Sequence, residues 1–132
     1  MKPFASATLA ASLLAASPVA ADMTLGFSWG AIPRCTSGRP NTVPNPEFVL
    51  RGVPKGTDKI TFKLKDLDVP SYNHGGGTVK VQMAGNGKIP SGVFKYKSPC
   101  PPSGVHTYEW TVTAKHGNTT LATAKARRKY PE

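Results

Sequence analysis

Apolar and polar residues alternate without interruption over residues 59–65. Ile60, Phe62 and Leu64 hold one parity, and Lys59, Thr61, Lys63 and Lys65 hold the other. Successive side chains on a strand point to opposite faces, so this pattern suits a half-buried strand and not a helix of period 3.6. The rule recurs over residues 105–115, where His106, Tyr108, Trp110, Val112 and Ala114 alternate with Thr107, Glu109, Thr111, Thr113 and Lys115. Shorter runs at 23–29, 48–50, 79–83 and 93–96 read as further strands. Thirteen glycines and thirteen prolines punctuate them. Val53-Pro54-Lys55-Gly56-Thr57 and Ala84-Gly85-Asn86-Gly87 read as turns, His116-Gly117-Asn118-Thr119 as a hairpin turn, and residues 31–46 as a loop. The alanines of residues 120–130 suit a helix, while their alternation with Thr123, Lys125 and Arg127 suits a strand. The tight turn before them favours the strand. The expected fold is all-β, with antiparallel strands and few or no helices.

The first 21 residues carry a different signal. Lys2 precedes an apolar, alanine-rich run, and Val19-Ala20-Ala21 offers small residues before a cut ahead of Asp22. This is the pattern of a signal peptide over residues 1–21, and its apolar part is too short to span a bilayer. The expected product is one domain of residues 22–132, periplasmic or secreted, with no transmembrane segment. Cys35 and Cys100 are the two cysteines of the chain, and in an exported protein they suggest a disulfide. Neither has metal-binding spacing around it. Lys plus Arg is 17 and Asp plus Glu is 7; without Lys2 the balance is 16 against 7, a net charge of +9. Such a field favours anionic partners. The lysines lie scattered along the sequence, with one cluster at 125–129, which reads as a solvated surface with no specific nucleic-acid site.

Two polar constellations carry chemistry. Asp66-Leu67-Asp68-Val69-Pro70 ends the clearest strand and is followed by His74 and three glycines. Asp66 and Asp68 share a parity, so they can hold a cation or accept donors from a ligand; the same spacing also serves turns in which carboxylates bond nearby backbone N–H groups. The second is Ser98-Pro99-Cys100-Pro101-Pro102-Ser103-Gly104-Val105-His106-Thr107-Tyr108. Its prolines stiffen a loop that places His106 and Tyr108 on one side of the next strand. His106 can meet a phosphate or move a proton, or be a core histidine satisfied internally.

The order Asp-x-Asp-x-Pro, a histidine segment, then Pro-Cys-Pro-Pro-Ser-Gly-x-His-x-Tyr resembles the phosphatidylethanolamine-binding protein (PEBP) family, nearest its bacterial Raf-kinase-inhibitor-like branch. The resemblance spans roughly residues 48–130. It implies an antiparallel β-sandwich with a small pocket for phosphate, a carboxylate such as acetate, or a phospholipid head group. It places Asp66, Asp68, His74, Ser98, Pro99, His106 and Tyr108 at that pocket. Leu67 stands where the family usually has proline, Ser98 where it has glycine, and glycines 75–77 where bulkier residues are usual. The family's helix before the last strand is replaced by the turn at 116–119, so one pocket wall is missing or remade. No nucleophile elbow, H-E-x-x-H or P-loop is present, which points to a binding protein rather than an enzyme, with neither cofactor nor metal. A protein-interaction or inhibitor module, acting on a protease or envelope enzyme, is the alternative, and a small hydrolase with His106 as general base is a lesser one.

Overall fold

The alternating run at 59–65 is the end of a much longer strand. In the computed structural model, which describes residues 22–132, strand β3 spans Phe48–Asp66 and pairs along one edge with β4, Gly76–Ile89. The expected signal peptide, residues 1–21, lies outside the described residues. On its other edge β3 pairs first with β1, Thr24–Phe27, and then with β6, His106–His116. The sheet ends in β7, Thr119–Tyr130, paired to β6 across the tight turn. The strands β2, Thr42–Pro44, and β5, Lys95–Lys97, form a second, two-stranded sheet. All pairings are antiparallel, and there is no helix among the described residues.

The turn signals at 53–57 and 84–87 do not end strands. They fall opposite one another in the β3–β4 ribbon, where Val53 faces Gly85 and the register shifts between Leu50 and Val53, Val53 and Thr57, and Thr57 and Lys59. Bulges bend and twist a ribbon without breaking it. Two expected strands, at 48–50 and 59–65, are therefore one bent strand. The loop at 31–46 holds β2, and the last segment is a strand.

The bend folds the sheet over its own apolar face. Phe48, before the bulges, meets Phe62 after them at 4.6 Å between ring centroids, and Trp110 on β6 at 5.1 Å edge to face. Phe48, Leu50, Ile60, Tyr108, Trp110 and Val112 are wholly buried. Each such aliphatic or aromatic side chain contributes about 1.5–3 kcal/mol relative to exposure.

The glycines after His74 have a packing reason. A Cβ on Gly76 would lie 1.7 Å from the Phe62 carbonyl oxygen, and one on Gly77 would lie 2.5 Å from the Phe94 ring. No side chain fits where β4 meets β3 this closely. Cys35 and Cys100 form a disulfide with Cα atoms 4.6 Å apart. No helix of the described residues is long and apolar enough to cross a membrane.

Candidate functional site

The antiparallel register that sets Asp66 beside Tyr108 brings the end of β3 to the start of β6. Asp66 is buried there and uses both carboxylate oxygens. Oδ1 accepts the backbone N–H groups of Asp68 at 2.8 Å and Val69 at 3.2 Å, closing the turn that leaves β3. Oδ2 lies 2.7 Å from His106 Nδ1. A carboxylate only accepts, so Nδ1–H donates and Nε2 is left free to meet a ligand. Asp68 is exposed, and its Oδ2 accepts the Thr107 N–H at 2.8 Å. Of the two readings of the acidic pair, turn chemistry holds for Asp66, which also holds a histidine, while Asp68 caps a backbone N–H at the start of β6.

His74 is buried at the start of the β3–β4 return. Its Nδ1 lies 2.8 Å from the Lys97 carbonyl oxygen, which fixes Nδ1 as the donor. The ring sits edge-on between Tyr72, at 4.6 Å, and Tyr108, at 5.4 Å. Burial lowers its pKa, against smaller opposing effects from the Lys97 carbonyl and the Asp66 charge. At neutral pH His74 is therefore uncharged, with Nε2 an acceptor. Tyr108 lies beneath both histidines and is wholly buried. Burial first, and Asp66's charge second, push its phenol well above the ordinary value, so it stays protonated; its oxygen accepts the Cys100 N–H at 3.2 Å.

Asp66 and His74 open on one cavity of about 350 Å³, within the range of small-molecule sites. Val69 and Tyr72 form one side, Cys100 and Pro102 another, and residues 37–40 a third. Asp68, His106 and Tyr108, expected at the pocket, are not among the cavity's lining residues: Asp68 caps the Thr107 N–H, His106 bonds the Asp66 carboxylate, and Tyr108 is wholly buried against His74. Ser98 and Pro99 do not line it. Both are fully buried, and the Ser98 hydroxyl accepts the Asn41 N–H at 3.1 Å while its own N–H donates to the Asn41 carbonyl at 2.8 Å. Ser98 is thus a clamp on the N-terminal loop, not a lining group.

The wall of residues 37–40 went unseen in the sequence, and with it Arg39, a full positive charge at the rim. The signal was Cys35. A bridge from Cys35 to the proline loop must carry the residues next to Cys35 to that loop. The loop is held at both ends, by the disulfide at Cys35 and by Ser98 at Asn41. It forms one wall of the cavity.

Ligand atoms of Asp66, Asp68 and His106 lie within 4.8 Å of one another, the one cluster among the described residues with the donor set of a metal site. The Asp66 oxygens and Asp68 Oδ2 already accept hydrogen bonds, so a cation there would have to displace them.

No protein-family model and no curated protein sequence matches the chain. Two solved structures do. One, described as a PEBP homolog, is CT736 of Chlamydia trachomatis, at a TM-score of 0.60 and 16% identity over 84% of this chain and 98% of that one. The other is YbcL of E. coli, described as a new member of the mammalian PEBP family, at a TM-score of 0.58 and 16% identity over 83% of this chain and 98% of that one. The chain has a PEBP-like fold. The bent β3–β4 ribbon, the β6–β7 hairpin and the absence of helices among the described residues belong to this chain's version of it. In this PEBP-like domain the cavity lies where β3, β6 and the disulfide-tied loop meet.

Proposed function

We propose that the protein is an exported binding protein whose cavity takes a small anion or a phospholipid head group, with a zwitterion such as phosphoethanolamine fitting best. The observation that carries this reading is the mixed polarity of one cavity. The neutral Nε2 of His74 is an acceptor for an ammonium or hydroxyl, beside the negative charge of Asp66, whose oxygens already hold His106 and the turn; Arg39 is a donor for a phosphate or carboxylate. The net positive charge draws anions toward it. The PEBP-like fold fits a binding role. Export is supported by the signal-peptide pattern and by a disulfide, which persists in oxidising compartments.

Binding rather than turnover is supported by the surroundings of the histidines. Among the described residues neither His74 nor His106 is hydrogen-bonded to a hydroxyl or thiol that it would activate as a nucleophile. Calorimetric titration with phosphoethanolamine, inorganic phosphate and acetate tests the proposal. Saturable binding of at least one is expected, weakened about tenfold in Arg39→Ala, the scale of one charge-assisted hydrogen bond at an exposed rim. No heat with any of the three would overturn it.

A further inference from the structure

The lysines that lie scattered in the sequence are gathered by the fold. Residues paired across antiparallel strands point to the same face of the sheet, and the strand parity that sends Ile60, Phe62 and Leu64 inward sends the lysines between them out. Lys80, Lys59 and Lys115 form one row across β4, β3 and β6. Lys63 and Lys125 flank Thr111 in a second row, and Lys65 and Arg127 flank Glu109 in a third. Lys129 lies opposite Thr107 in the last. Eight of the sixteen cations of residues 22–132 thus share one sheet face with one of the seven carboxylates.

That carboxylate is already used. Glu109 is held by Arg127 at 2.8 Å and Lys125 at 3.9 Å. Among the described residues no other cation of the face lies within ion-pair distance of a carboxylate. Neighbouring strands run about 4.8 Å apart, so Lys80, Lys59 and Lys115 are like charges placed side by side. Such pairs destabilise a sheet. A local rule broken three strands wide, with no compensating carboxylate among the described residues, marks a surface shaped for something other than folding. Between the lysine rows, Thr78, Thr61, Thr113 and Thr123 lie across four strands and offer hydroxyl donors.

We propose that this face docks the protein onto an anionic phospholipid bilayer. A cationic sheet face matches a plane of phosphates. Nucleic acid is the less suitable occupant. The outward positions of the four strands carry no aromatic side chain on which bases would stack, and the described residues include no helix to enter a groove. The proposal rests on the outer sheet face and is independent of the cavity.

Vesicle co-sedimentation tests it, with phosphatidylcholine alone and phosphatidylcholine mixed with phosphatidylglycerol. The protein should bind the mixed vesicles and not the neutral ones. Raising salt from about 0.1 M to about 1 M shortens the Debye length from about 10 Å to about 3 Å and should release it. Each lysine near an anionic surface strengthens binding roughly fivefold, so Lys63→Gln with Lys125→Gln should weaken it about 25-fold. Lys95→Gln, an exposed cation on β5 in the other sheet, should bind vesicles as the unaltered protein does. A circular dichroism melt establishes that both variants are folded. Equal binding to neutral vesicles, an unaltered affinity in the double lysine variant, or preference for a DNA duplex over mixed vesicles at matched phosphate would each overturn the proposal.

Discussion

Replacing Cys35 and Cys100 together by alanine should lower stability far more than any surface change. The bridge spans a sequence separation of 65 residues. Loop-closure entropy for a loop of that size gives about 4 kcal/mol at 25 °C. Against a typical total of about 5–15 kcal/mol, this is a large share. For a domain of this size it corresponds to a drop in melting temperature of roughly 15–25 °C. The change also frees one end of the loop at residues 37–40, leaving the Ser98–Asn41 clamp at the other. Thermal and urea melts followed by circular dichroism measure the first effect, and calorimetric titration of the cavity measures the second. The unaltered protein melted in a thiol reductant should match the variant. A shift of only a few degrees would refute the reasoning, because it would mean that the closed loop is not a principal constraint on the unfolded chain.

Gly76→Ala should destabilise by about 2–3 kcal/mol in urea unfolding, and by more than Gly77→Ala, since the first alanine meets the Phe62 backbone at 1.7 Å and the second the Phe94 side chain at 2.5 Å. Trp110→Ala should cost about 3–5 kcal/mol in the same assay, because Trp110 is wholly buried against Phe48 and Tyr96. Folding lowers the His74 pKa below its ordinary 6.5, so between the folded and unfolded values the unfolded chain binds more protons. Stability should therefore be complete above pH 6.5 and fall as pH drops below it, and His74→Gln should flatten that part of the pH–stability curve.

How much was legible in the sequence follows from how local each signal is. The strand at 59–65 and the face bearing His106, Tyr108 and Trp110 were readable because period-two alternation is written in neighbouring residues. The bend was misread as two turns because Gly85 and Asn86 look alike in a hairpin and in a bulge; only pairing with Val53 distinguishes them. Asp66, His74 and Tyr108 were legible as polar residues near strand ends, but not the division of labour in which Asp66 takes His106, Asp68 takes a backbone N–H and Tyr108 is buried away from the cavity. Arg39 was invisible because its place depends on a disulfide that joins distant segments. The cationic face was hidden in the same way: lysines on four strands look scattered until register aligns them.

On the proposed function, the cavity lined by Asp66, His74 and Arg39 takes a small phosphate-bearing ligand. Nitrogen-resolved NMR of the histidine rings during titration with phosphoethanolamine tests it most directly. Saturable shifts at the Nε2 atom of His74, with His116 unmoved and the response lost in Arg39→Ala, are the expected result. Shifts confined to the exposed His116, or a response that Arg39→Ala leaves intact, would contradict it.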